Sequence, residues 1–180
     1  MLLTPGAGSS ASHPSLVAIE SALAPMPVAL VDFPYRREGR RAPDRAPKLI
    51  ACVRDEVALL SAATGVEPAR MVLGGRSMGG RMCSLAVAEG LRAAGLVLIS
   101  YPLHPPGKPD QLRTAHFGAL DVPCLFISGE RDAFGTRAEF DAHVNAIPGA
   151  VTQVWLKGGH DLKGQDGAIV ASVQEWLAGL

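Results

Sequence analysis

The chain has 180 residues, of which 48% are hydrophobic and 19% charged, enough apolar material for one buried core and too little length for two. Seventeen basic residues balance seventeen acidic ones, so no long-range field draws the chain to a phosphate backbone or an anionic lipid surface, and neither nucleic acid nor membrane is expected as a partner. No apolar run reaches the ~18–20 residues that span a bilayer, and no charged-then-apolar leader opens the chain. A cytoplasmic protein is expected.

Read in chain order, short apolar runs alternate with helical periodicity. Met1–Thr4 is a strand that runs into the turn Pro5-Gly6-Ala7-Gly8, and Ser15–Leu23 is a helix. Val28–Phe33 is the next strand, followed by Pro34–Pro47, an Arg- and Pro-rich segment with the basic run Arg36-Arg37-Glu38-Gly39-Arg40-Arg41. That run reads as a solvated loop or as charge lining a site rather than a nucleic-acid patch. Ala46–Thr64 places Leu49, Ile50, Val53, Val57 and Leu60 on one helical face. Arg70–Gly74 is a strand and Met78–Glu89 a helix, with Ser77 between them. Gly95–Ser100 is a strand, and Tyr101–Asp110 a proline-rich loop, either shaped over a pocket or simply a rigid connection. Cys124–Ser128 and Thr152–Leu156 complete the strands. Thr136–Ala146 starts with capping-box spacing from Thr136 to Glu139, and Gln165–Leu177 is the last helix. The alternation predicts one α/β domain over residues 1–180, with about six mostly parallel strands and helices on both faces.

Cys52, Cys83 and Cys124 are odd in number and far apart, without a Cys-x-x-Cys pair, so free thiols are expected rather than disulfides or zinc. Cys83 has no base placed to make it a second nucleophile. The histidines have no metal-ligand spacing, and neither metal nor cofactor is expected.

Gly75-Arg76-Ser77-Met78-Gly79 matches Gly-x-Ser-x-Gly, a weak signal in a chain with 20 glycines. Its setting is more specific. A serine on a sharp turn between a strand and a helix projects its hydroxyl above the sheet, and the helix start offers free amides to an oxyanion. Serine needs a base, and the base needs an orienting carboxylate. His160 follows the last strand, and Asp132 follows the strand before it; Glu130 and Asp161 are rival carboxylates. The order Ser77, Asp132, His160 is the order of this hydrolase class. The amides of Met78 and Ala7 are the expected oxyanion donors. Arg36, Arg76 and His104 are candidates to meet substrate, the other readings being a structural ion pair for Arg76, a surface ion pair for Arg36 and a surface position for His104; His116 and His143 read as surface residues and His13 as part of a flexible start.

These residues give the chain a resemblance to the small α/β-hydrolase-like family of testis-expressed protein thirty and the NSL-complex subunit three, itself related to dienelactone hydrolases. It runs through Thr4-Pro5-Gly6-Ala7-Gly8, Phe33-Pro34-Tyr35-Arg36, Arg41-Ala42-Pro43-Asp44, Gly74-Gly75-Arg76-Ser77-Met78-Gly79-Gly80-Arg81, Tyr101-Pro102-Leu103-His104-Pro105-Pro106-Gly107-Lys108-Pro109 and Gly158-Gly159-His160. The resemblance implies an α/β-hydrolase core with Ser77, Asp132 and His160 at the triad positions. One branch looks like a chromatin-complex component, so fold alone does not guarantee catalysis. Thr4-Pro5-Gly6 stands where many such hydrolases have His-Gly. The chain also starts at what would be the third strand of a full hydrolase sheet, so the first two strands are expected to be missing and an exposed edge to favour a homodimer.

The expected function is serine hydrolysis of an ester or thioester with a small to medium acyl group, the partner being that small molecule. A catalytically idle scaffold of the same fold is the alternative.

Overall fold

The computed structural model describes residues 1–180. Twelve elements follow in order: β1 (Leu2–Thr4), α1 (Pro14–Leu23), β2 (Ala29–Leu30), α2 (Pro34–Arg37), α3 (Ala46–Thr64), β3 (Val72–Arg76), α4 (Met78–Ala88), β4 (Gly95–Ile99), β5 (Cys124–Gly129), α5 (Arg137–His143), β6 (Val151–Leu156) and α6 (Asp166–Ala178). Short 3₁₀ turns join some of them. The strands form one six-stranded sheet in the order β2-β1-β3-β4-β5-β6, every pair parallel. This is the single α/β domain with a parallel sheet expected from the alternation, and the resemblance implies the same core.

Strand periodicity sorts the core onto two faces. Leu2, Leu73, Leu96, Leu98 and Phe126 pack with Leu49, Ile50 and Val53 of α3, Met82 and Ala86 of α4 and Phe140 of α5. Leu3, Val72, Val97, Ile99, Leu125 and Ile127 pack with Leu16 and Ile19 of α1 and Ile169 and Val173 of α6. Each such side chain, fully buried, contributes about 1.5–3 kcal/mol. No helix is long and apolar enough to cross a membrane.

Local chemistry sets the element ends. Pro47 sits in the first turn of α3, and Gly65, at φ +69, closes it by donating its N–H to Ser61 O. His13 caps α1, its ring accepting from Ser15 N, so the chain start is held rather than loose. Thr136 and Glu139 form the expected capping box. Two strands differ from expectation. β2 keeps two residues of the six predicted, because it lies at the sheet edge between Pro27 and Pro34 and can donate only toward β1, through Ala29 N to Met1 O and Val31 N to Leu3 O. β3 sits two residues later than predicted: Pro68–Arg70 is a 3₁₀ turn, and the ladder to β4 continues through Gly75 and Arg76.

The chain moves from β1 outward to β2 and then back past β1 to β3. Helix α1 after β1 and helix α4 after β3 lie on opposite faces of the sheet. The carboxyl ends of β1 and β3 therefore flank a switch point, where open α/β sheets form their crevice.

Candidate active site

Ser77 is the single residue between β3 and α4, held at φ +48 and ψ −115. A side chain there costs on the order of 1–3 kcal/mol and persists only under constraint from the surroundings. The constraint is visible. Ser77 N–H donates to Ile99 O of β4 at 2.8 Å, and Ser77 O accepts from Arg81 N at 3.1 Å. Gly75 adopts φ +153, and a Cβ there would run into the Thr4 carbonyl. A Cβ on Gly79 would meet the Thr4 carbonyl and hydroxyl and, at 2.6 Å, the Pro5 carbonyl. Only glycine at both positions lets the turn close against β1.

Asp132 lies in the turn after β5 and His160 in the loop after β6. His160 Nε2 is 2.8 Å from Ser77 Oγ, and His160 Nδ1 is 2.8 Å from Asp132 Oδ2 and 3.0 Å from Oδ1. An ionised carboxylate only accepts, so Nδ1 carries the ring hydrogen and Nε2 turns its lone pair to the serine hydroxyl. Asp132 is buried, and its Oδ1 also accepts from Phe134 N at 2.8 Å. The rivals Glu130 and Asp161 are exposed and do not bond the imidazole.

The expected oxyanion donors stand at the crevice. The amides of Met78, Gly79 and Gly80 have no backbone acceptor, as the first turn of a helix requires. Across from them, a Cβ on Gly6 would lie 3.5 Å from Ser77 Cβ, which puts the Gly6–Ala7 peptide against the nucleophile turn. Ala7 N is also unengaged, and Tyr35 Oη fixes the loop by donating to Ala7 O at 2.9 Å. Asp32 braces the same loop farther along by accepting from Ala11 N.

The three residues expected to meet substrate are placed differently. Arg76 is buried on the α1 side of the sheet. Its guanidinium donates to Ser15 Oγ at 3.2 Å, to Asp161 O at 2.9 Å and to His160 O at 3.4 Å. Burial holds its pKa below the usual arginine value against the opposing pull of Asp166, Asp161 and Asp132. It ties β3 to the histidine loop rather than facing a ligand. His104 is also buried: its N–H donates to Phe134 O, its Nδ1 faces Pro105 O, and its Nε2 lies 3.3 Å from Glu139 Oε1 without hydrogen-bond alignment. Its backbone N–H, rather than its ring, ties it to the loop beside Asp132. Arg36 is half-buried in α2, next to Tyr35, and remains at the rim of the oxyanion loop.

Two contributors escaped the sequence reading. Phe134 stacks on the His160 ring, centroids 3.9 Å apart at 26°, and limits its rotation. Tyr35 anchors the oxyanion loop from 28 residues away. Nothing local marks either; each matters only through a neighbour brought in by the fold. All three cysteines are free and buried, and burial pushes the Cys83 and Cys124 thiols up to about 12, far from a reactive thiolate.

Comparison with known proteins agrees with this fold. A Xanthomonas campestris pv. campestris protein assigned to the alpha/beta hydrolase superfamily superposes with TM-score 0.69 at 19% identity, over 99% of this chain and 98% of its own. A dienelactone hydrolase from Anabaena variabilis gives TM-score 0.77 at 19% identity, over 99% and 84%. Est1E from Butyrivibrio proteoclasticus, solved with ferulic acid bound, gives TM-score 0.73 at 15% identity, over 99% and 87%. At these identities the likeness establishes the fold. The sequence model of a family described as alpha/beta hydrolase domain matches residues 1–175, and the chain belongs to that alpha/beta hydrolase family.

Proposed function

We propose that the chain is a serine hydrolase acting on an ester or thioester of a small to medium acyl group, with Ser77 as nucleophile, His160 as general base and acid, and Asp132 as the residue that orients the imidazole. The observation that carries this reading is the unbroken Asp132–His160–Ser77 relay, both links 2.8 Å, ending on a serine held at positive φ. The esterase and dienelactone hydrolase among the structural neighbours support the same reaction class.

In the first half-reaction Ser77 Oγ bonds to the carbonyl carbon as its proton passes to His160 Nε2. The carbonyl oxygen takes the negative charge and is held by the amides of Met78 and Ala7. Collapse expels the alcohol or thiol, which receives the proton from His160, and leaves an acyl-Ser77 ester. Water, deprotonated by His160, then attacks that ester; the acid departs and Ser77 regains its proton. Asp132 stabilises the imidazolium at both stages without itself being protonated.

Within the hydrolases, the Gly-Gly-Arg-Ser-Met-Gly-Gly-Arg and Pro-Leu-His-Pro-Pro-Gly-Lys-Pro runs mark the small branch of testis-expressed protein thirty and the NSL-complex subunit three. Three unpaired buried thiols suit a reducing compartment such as the cytoplasm.

The test is labelling by a fluorophosphonate probe. The native protein is expected to label covalently and to hydrolyse p-nitrophenyl acetate, and Ser77→Ala to lose both while unfolding at an unchanged temperature. A Ser77→Ala variant that keeps substantial activity would sink the assignment, and folded native protein that never labels would return the chain to the scaffold reading.

A further inference from the structure

Helix α4 carries one charged group, Arg81, one turn beyond the proposed nucleophile. Arg81 N–H donates to Ser77 O, so its side chain leaves the helix about one turn below the reacting hydroxyl. It faces the connection between β4 and β5. There Tyr101 Oη donates to Arg113 O at 2.7 Å and Arg113 N donates back to Leu103 O, which folds Arg113 onto the end of β4. Ser84, the next residue but two on α4, has its hydroxyl 2.8 Å from His116 Nε2 of the same connection. Arg81, Arg113 and His116 thus crowd around Tyr101, itself only 1% exposed.

This cluster lacks a counter-charge. The ion pairs of the molecule lie elsewhere, and neither Arg81 nor Arg113 has a carboxylate within 4.0 Å. The Arg81 guanidinium lies against the Tyr101 side chain, its Nε shut off from solvent with no partner, and no side-chain hydrogen bond engages the Arg113 guanidinium. Both side chains are only partly exposed. Burial and then the Arg81 charge hold Arg113 below the usual arginine value, and the same two causes push His116 down to about 4. Two half-buried like charges beside a neutral histidine are an unfavourable arrangement unless an anion joins them. Arg76 makes the contrast, since its buried guanidinium is occupied by a hydroxyl and two carbonyls. A fork of guanidinium N–H groups suits a carboxylate, which accepts two parallel bonds.

We propose that Arg81 and Arg113 form an anion-binding subsite next to Ser77, and that the substrate is an ester or thioester of a dicarboxylic acid whose free carboxylate this pair holds. The inference rests on Ser77 as nucleophile for the substrate half, while the subsite itself stands on binding alone. The pair fixes the remote carboxylate, and the position of Arg81 one turn of α4 from Ser77 favours a short acyl chain over a long one. A neutral acyl group of the same length leaves the two arginines unpaired and gains none of that binding.

Two measurements test it. The first needs no turnover: isothermal calorimetry of the native protein with succinate and, separately, with inorganic phosphate. Succinate is expected to bind at one site, more tightly than phosphate, and binding is expected to fall at least about tenfold in Arg81→Met and in Arg113→Met, with part of it recovered in Arg81→Lys. Arg92→Met, an exposed arginine elsewhere, serves as control and should bind as native. The second is the ratio of kcat/KM for mono-p-nitrophenyl succinate over p-nitrophenyl acetate, expected to exceed about tenfold in the native protein and to collapse toward unity in both methionine variants. Phosphate binding more tightly than succinate would assign the subsite to a phosphate-bearing substrate and overturn the dicarboxylate. No saturable binding of either anion, or a ratio equal in native and variants, would overturn the subsite. Hydrolysis of neither ester with anion binding intact would instead count against Ser77 as nucleophile.

Discussion

Arg76 shows how residue-level reading succeeds and fails in one pentapeptide. Ser77 was recoverable from spacing, because a serine flanked by glycines between a strand and a helix has one place to go. The same holds for Asp132 and His160, each just past a strand end on the edge of the sheet where Ser77 lies. Arg76 was not, because its role depends on strand parity. Val72 faces the α1 side, and every second residue along β3 follows it, so Arg76 points there too. With β3 expected to stop at Gly74, that parity was hidden. Arg76 therefore holds the His160 and Asp161 carbonyls, and the role proposed for it is to position the imidazole over Ser77. Arg76→Met is expected to lower kcat about tenfold to a hundredfold with KM little changed, since small misplacements of a base weigh on the chemical step. Arg76→Lys, which keeps one donor but not the fork, should fall between. Steady-state kinetics that instead show a KM effect alone would make Arg76 a substrate ligand after all.

At the scale of elements, ends marked by specific chemistry were readable and ends set by neighbours were not. α3 runs from Ala46 to Thr64 as expected because Pro47 and Gly65 act on the backbone locally. β2 shrank because an edge strand has one partner, a fact about the sheet rather than about Val28–Phe33. The connection from β4 to β5 was least readable: its prolines announce rigidity but not direction, and His116, expected at the surface, is half-buried against Ser84. α5 offers a local test. Thr136 Oγ1 accepts from Glu139 N, and Glu139 Oε2 accepts from Thr136 N at 2.7 Å, satisfying two amides at the start of a helix of seven residues. Thr136→Ala should lower stability by about 1 kcal/mol in urea unfolding, while Thr136→Ser should keep most of it. Equal losses from both substitutions would mean that packing of the threonine methyl, not the cap, supports α5.

For the whole molecule, the acid limit of stability has an identifiable contributor. His116 has its pKa lowered from 6.5 to about 4 by burial and by Arg81. Above pH 6.5 both folded and unfolded chains leave this ring neutral, and it has no effect. As pH falls from 6.5 toward 4 the unfolded chain takes up a proton that the folded chain refuses, so stability drops through that window, by on the order of 1 kcal/mol given the ring's partial exposure. His116→Asn keeps a partner for Ser84 and removes the titration. Its unfolding free energy should vary less between pH 7 and pH 4.5 than that of the native chain; an unchanged slope would place the acid sensitivity in other groups.

β1 is three residues long, yet it is an inner strand, and its last residue, Thr4, is the surface on which Gly75 and Gly79 close. Its register against β3, Thr4 opposite Gly75, joins parts of the chain about 70 positions apart. Closing so long a loop carries an entropic cost that no local contact within β1 offsets. The turn at Ser77 is therefore complete only when β1 is seated, because Thr4 supplies the surface on which Gly75 and Gly79 close. With Ser77 as the proposed nucleophile, recovery of hydrolysis during refolding is expected to report the docking of β1 against β3.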